Sequence, residues 1–301
     1  MNNKQKAAFL SILSNIAIIV LKITVGLIIN SISVISEAIH SAMDLVSALI
    51  AYLTVSKSSQ PADQSHPYGH GKFENLSGFL EAALIAVAAI YILWTSVERL
   101  LHPQELQFVP YGIGVMLISA LVNFFMYRHN IKVAKETESI ALEANAAHLS
   151  ADVYTSLGVL AGLILIALTG IRALDPLAAM AVAAFILRAS VGLMRKALRD
   201  LTDRGLPEEE EKEIRSILKN HYSHFVEFHK LRTRKSGSER YIDLHLVLAR
   251  NVDLQAAHDL CNHLEVEINH RFPGSETIIH IEPCENACQI CNNSCPPNGP
   301  P

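Results

Sequence analysis

The chain has 301 residues, of which 50% are hydrophobic and 18% charged, with a mean hydropathy of +0.26. That is too apolar for a soluble domain of this length and too charged for a chain immersed in lipid throughout. A formal net charge of −4 supplies no basic surface, so no nucleic-acid partner is expected.

Apolar runs lie near 8–29, 33–55, 77–100, 109–128, 142–169 and 176–194, each close to the ~20 residues that cross a bilayer. They predict six transmembrane helices, so the lipid bilayer is the first expected partner. No cleavable secretory signal is expected, because the first run is itself long enough to span and others follow it. Lys4, Lys6, Lys57, Lys72, Arg128, Lys132, Lys135, Arg195, Lys196 and Arg199 flank the ends that an even number of spans places together. The opposite side has little more than Arg99 and Arg172. By the positive-inside rule both termini are expected in the cytoplasm. Alanines in the third and sixth runs, Ala82 and Ala183 among them, are expected to serve close helix packing. Lys22 and Asn15 in the first run are ambiguous: Lys22 could snorkel towards an interface, and no role is assigned to it.

Two of the runs carry chemistry. In the second, Glu37, His40, Asp44 and Ser47 step by three, four and three residues; in the fifth, Asn145, His148, Asp152 and Thr155 repeat those steps. Such spacing puts each His and Asp on one helix face. A charge at the bilayer centre costs roughly 2.5–3.5 kcal/mol on insertion scales, which makes chance placement a poor explanation. His40, Asp44, His148 and Asp152, if the helices face each other, offer four N/O donors suited to tetrahedral Zn2+. The plainer reading is that each pair only hydrogen-bonds between helices.

Between the second and third runs, Asp63, His66 and His70 sit in a loop marked by Pro67, Gly69 and Gly71. One Asp and two His so close together can clip a metal locally, or be a solvated polar loop.

The character changes after Gly205-Leu-Pro207. Pro207 can begin a helix whose first turn, Glu208 to Glu211, suits the helix dipole, and the helix is expected to run to about Asn220. Strand-like stretches follow at 225–234 and 240–249, joined by Ser236-Gly237-Ser238. In the second, Ile242, Leu244, Leu246 and Leu248 make one face, and Tyr241, Asp243, His245 and Val247 the other. A helix at 254–271 has an expected apolar face of Leu254, Ala257, Leu260, Leu264 and Ile268, and Thr277 to Glu282 reads as a last strand. The order αββαβ predicts a small open-faced α+β sandwich. His229, His245, His258, His280 and Glu282 are its candidate ligands, although a single His in such a domain is more often structural. The tail holds Cys284, Cys288, Cys291 and Cys295, a spacing that fits a soft metal or reduced thiols better than disulfides. The expected division is therefore 1–204 in the membrane, 205–283 as an αββαβ domain in the cytoplasm, and 284–301 as a Cys-rich tail.

The paired His-x3-Asp motifs, the Asp-x2-His-x3-His loop and the His-bearing αββαβ domain together resemble the cation diffusion facilitator family, over residues 8 to 283. The resemblance implies an α-helical membrane protein with six spans and a metallochaperone-like cytoplasmic domain. It implies a homodimeric exporter, not an enzyme, that moves divalent metal out of the cytosol against protons, in the plasma (inner) membrane. It assigns His40, Asp44, His148 and Asp152 to the transport site and Asp63, His66 and His70 to a loop site. It assigns His229, His245, His258, His280 and Glu282 to a cytoplasmic site joining two subunits. Glu282 stands where relatives often have Asp. Zn2+ suits two His and two Asp, and Cd2+, Co2+ or Fe2+ accept similar ligands. Two other functions compete. An intramembrane metalloenzyme is disfavoured by the lack of a His-Glu-x2-His motif and of an evident general base. A membrane-anchored metal sensor leaves the intramembrane carboxylates without a purpose.

Overall fold

The structure is a computed structural model that describes residues 2–28, 32–102, 110–169, 173–221 and 223–284. The side chains of Glu37 and His40 lie outside that description, as do Cys288, Cys291 and Cys295. The contacts divide the chain into two compact units, Met1–Arg199 and Asp200–Pro301.

The first unit consists of α1 (Asn3–Ile28), α2 (Ile32–Ser58), α3 (Lys72–Leu101), α4 (Pro110–Thr137), α5 (Ile140–Thr169) and α6 (Leu174–Leu201). Among the described residues, the stretches Asn3–Val25, Lys72–Leu101 and Pro176–Leu201 are long and apolar enough by themselves to cross a membrane. Several helices outrun the apolar runs: α3 starts at Lys72 instead of 77, and α4 continues to Thr137 instead of 128. Hydropathy registers only the lipid-matched length, whereas the backbone ladder continues as long as neighbours support it.

Helix α1 packs on α2 and α4, α3 on α2 and α5, and α4 on α5. Polar side chains lock these contacts inside the bundle. Asn130 Nδ2 donates to Ser11 Oγ at 2.7 Å, joining α4 to α1. Lys4 Nζ and Ser58 Oγ both reach Glu74 Oε1, at 3.0 and 2.9 Å, joining α1 and α2 to α3. Of the options open to Lys22, the structure takes the interior one: it is buried, and its Nζ donates to Ser41 Oγ at 2.8 Å. An interior hydroxyl within reach makes snorkelling unnecessary.

Ala82, Ala89 and Ala183 are fully buried, as the packing reading expects, whereas Ala88, Ala181 and Ala184 face outward. Gly158 of α5 marks a close approach, because a Cβ there would meet Val182 Cγ2 of α6 at 2.8 Å. Large apolar side chains such as Leu13, Val87, Trp94 and Phe125 lie on the outside, a surface suited to lipid.

The second unit runs α7 (Glu208–Asn220), β1 (Glu227–Ser236), β2 (Glu239–Leu248), α8 (Leu254–Arg271) and β3 (Ser275–Pro283). The sheet order is β1-β2-β3, with β1 antiparallel and β3 parallel to β2. Gly237 at φ 60° makes the tight turn between β1 and β2. Asp253 caps α8 by accepting from the Ala256 N–H at 2.9 Å. The leucine row of β2 faces the helices, where Ile242, Leu244 and Leu246 pack against Ile214, Leu218, Leu264 and Ile268. Leu254 is a correction: at 84% exposure it is outside the core, which Cys261 joins instead. Leu254 opens the first turn of α8, ahead of the part of the helix that covers the sheet.

Candidate metal centres

In the first unit, α2 and α5 bring Asp44, His148 and Asp152 together, with one ligand atom from each within 4.8 Å of the others. Asp44 Oδ1 lies 3.1 Å from His148 Nε2. The surrounding polar groups hold this arrangement. Asn15 Nδ2 of α1 donates to the Asp44 backbone carbonyl at 3.1 Å, and Asn123 Nδ2 of α4 lies 3.4 Å from Asp152 Oδ2. Thr155 and Ser156 turn their hydroxyls back onto the Asp152 carbonyl. A cavity of about 290 Å³ opens beside the carboxylates, lined by Lys22, Ser41, Ser119 and Asn123 among others. His40 stands one turn before Asp44 on α2, and its side chain lies outside the described residues.

Glu81 and Asn123 are the residues that the sequence reading passed over. Glu81 of α3 is buried, has no hydrogen-bond partner for either carboxylate oxygen, and interacts electrostatically with His148. An acid in the middle of the third apolar run is the signal that could have found it.

The loop between α2 and α3 gathers Asp63, His66 and His70 within 4.8 Å. Asp63 Oδ1 accepts from the backbone N–H groups of Ser65 and His66 at 2.8 and 2.7 Å, which sets the turn. The His66 N–H is the main cause that holds the Asp63 carboxyl below the usual range, so it stays an anion ready to ligate. Its Oδ2 lies 3.4 Å from His70 Nε2, and the two imidazole centroids are 4.3 Å apart. His70 is buried with neither ring nitrogen hydrogen-bonded.

In the second unit, strand register aligns three histidines: His229 pairs with His245, and His245 with His280. Their rings lie on the sheet face opposite the leucine row. A bulge between His229 and Arg232, with Lys230 at φ 50°, lies directly after the first of them. Glu282 reaches back along β3, its Oε1 2.6 Å from His245 Nδ1 and its Oε2 3.1 Å from His229 Nε2. The His245 hydrogen bond is the main cause that lowers the Glu282 carboxyl below its ordinary range. His229, His245 and Glu282 therefore form a compact set, with His280 at the edge, 3.9 Å from Glu282 Oε1.

His258 does not join them, because it is exposed on α8, the helix that covers the other face of the sheet. Cys284 is buried at the end of β3, where its backbone N–H donates to Leu248 and its carbonyl accepts from Arg250.

Two family models match the chain: the cation efflux transmembrane domain over residues 8–202, and the cation efflux protein cytoplasmic domain over residues 206–284. An uncharacterized transporter of Synechocystis is 37% identical over 279 residues, covering 93% of this chain and 90% of that protein. The cation-efflux pump FieF of Salmonella arizonae is 32% identical over 283 residues, covering 93% of this chain and 92% of the pump. FieF of Yersinia pestis is 33% identical over 259 residues, covering 85% and 84%. The zinc form of CzrB, described as a putative zinc transporter, is 38% identical with a TM-score of 0.26, covering 27% of this chain and 92% of that structure. A membrane unit that gathers acids and imidazoles and a following His-lined sheet domain are thus matched along nearly the whole chain, which belongs to the cation diffusion facilitator family of membrane metal cation efflux transporters, not enzymes.

Proposed function

We propose that this chain exports Zn2+ from the cytosol in exchange for protons, through alternating access of a site made by His40, Asp44, His148 and Asp152. The observation that carries the reading is the convergence of Asp44, His148 and Asp152 from two helices to within 4.8 Å, beside a polar cavity. Mixed N/O donors of this kind suit zinc, and Cd2+, Co2+ and Fe2+ compete by the same chemistry.

The coupling follows from what a single position can hold. His148 Nε2 and Asp44 Oδ1 face each other at 3.1 Å, a distance at which they share one proton. A metal ion ligated by both takes that proton's place, and where the ring begins as imidazolium the displaced proton leaves the site, since imidazole binds metal only through a free lone pair. Proton arrival on the far side then releases the metal, so one site opening to each side in turn suffices. In this reading both termini face the cytoplasm in a plasma (inner) membrane. The αββαβ domain pairs two copies through the face bearing His229, His245, His280 and Glu282. The loop set Asp63, His66 and His70 binds a further ion, and Cys284, Cys288, Cys291 and Cys295 are candidates for another.

The experiment is zinc flux into proteoliposomes under an imposed pH gradient. Wild-type chain should load zinc faster and to a higher level when an inside-acid gradient is present, and Asp152→Ala should load none. Equal uptake with and without the gradient would remove proton coupling. His40→Asp should broaden uptake towards oxygen-preferring ions such as Mn2+. An unchanged metal profile in that variant would take selectivity away from His40.

A further inference from the structure

A different His/Glu cluster, outside every site named so far, lies in the helix layer of the second unit. His221 follows the last turn of α7, and its Nδ1 is 3.1 Å from the Ile217 carbonyl oxygen. A carbonyl only accepts, so Nδ1 is the nitrogen that donates there, and Nε2 is the one turned to a second partner. That Nε2 faces Glu267 Oε2 of α8 at 3.3 Å. A ring nitrogen and a carboxylate oxygen this close need a proton or a metal ion between them. His263, one turn before Glu267 on α8, places its Nε2 3.9 Å from the same oxygen, and its ring meets that of His221 edge-on at 5.1 Å between centroids.

We propose that His221, His263 and Glu267 form a three-ligand site for a zinc-type divalent cation, which clips the end of α7 to α8. The donor atoms lie within 4.8 Å of one another, and a tetrahedral zinc ion needs its ligands roughly 3.3–3.5 Å apart, a small side-chain adjustment away. The carbonyl bond at Nδ1 is the outer contact that fixes the tautomer and orientation of a metal-bound imidazole. The frame is rigid: Ile214, Leu218, Leu264 and Ile268 pack α7 and α8 on one core, and Arg271 pairs with Glu213 across them. The His263 side chain is 64% exposed, which leaves the ion an entry path and a coordination position for water. This site lies on the opposite side of the sheet from His229, His245 and Glu282. It stands whether or not the transport reading holds.

The test uses the full chain in detergent, titrated with Zn2+ and pulsed with diethyl pyrocarbonate, and reads the carbethoxylation of His263 by mass spectrometry. Zinc should slow modification of His263 at least about fivefold, because a ligating nitrogen has no free lone pair. In Glu267→Gln the zinc concentration needed for protection should rise about tenfold or more. In His245→Ala the requirement should not move. His263 reacting equally fast with and without zinc would overturn the proposal. So would protection that survives Glu267→Gln at the same zinc concentration, or that disappears in His245→Ala.

Discussion

The two units of this chain differ in how much polar surface they bury beside their apolar cores. The six-helix unit hides Ser11, Asn15, Glu74, Glu81, Asn130 and Asn145 and turns Leu13, Leu84, Val87 and Trp94 outward. The αββαβ unit hides Ile214, Leu218, Leu244, Leu246, Leu264 and Ile268. Lipid tails are as apolar as leucine, so burying leucine gains little in a membrane. Association there rests on small residues and interior hydrogen bonds. In water the same burial is the main driving force. The metal clusters follow the same division. Asp44, His148 and Asp152 are polar groups that a helix bundle has to face inward. His229, His245 and His280 occupy a sheet face left over once the leucine row has made the core.

The largest expected effect separates the two clusters. Asp44→Ala or Asp152→Ala should lower zinc flux in proteoliposomes more than about a hundredfold, since on the proposed reading each removes a ligand of the transported ion. Glu282→Ala should lower the flux less than about tenfold while weakening zinc binding to the second unit in equilibrium dialysis. Comparable flux losses at both sites would erase the contrast between the proposed transport site and the proposed pairing site.

One substitution made in both units tests the difference in solvent. Leu264→Ala, at a fully buried position, should destabilise the second unit by about 2–5 kcal/mol. Leu84→Ala, 55% exposed on α3, should cost less than about 1 kcal/mol in micelles, where no water-facing burial is lost. Urea titration followed by hydrogen exchange at the amides of Leu244 and Leu246 measures the first, and detergent unfolding followed by helix content the second.

A third substitution probes close packing in the bundle. Gly158→Ala should destabilise the contact of α5 with α6 by about 1–3 kcal/mol, because Val182 has to move away from the new methyl group. Detergent-unfolding midpoints of the two forms report it, and an unshifted midpoint would mean that α6 gives way freely.

The smallest effect is chemical. Burial pushes the Cys261 thiol up to about 11, so at pH 8 about one thiol in a thousand is thiolate. Iodoacetamide should therefore leave Cys261 unmodified in the folded chain and reach it once urea opens the domain. Rapid labelling without urea would show that α8 does not seal the core at this point.

Much of this was legible in the sequence because it is local. Helical periodicity alone places His40 with Asp44 and His148 with Asp152, and strand alternation alone separates the leucine row of β2 from His245. Tertiary structure decided what depends on distant partners. Strand register, not spacing, put His229 and His245 under Glu282 and left His258 on the wrong side of the sheet. Lys22 became an interior donor only because α2 presents Ser41 to it. Glu81 came to stand by His148 only because α3 packs on α5. His221 met Glu267 only because α7 and α8 share a core. A side chain's face is set by its own few neighbours along the chain, but what that face meets depends on contacts closed over many residues.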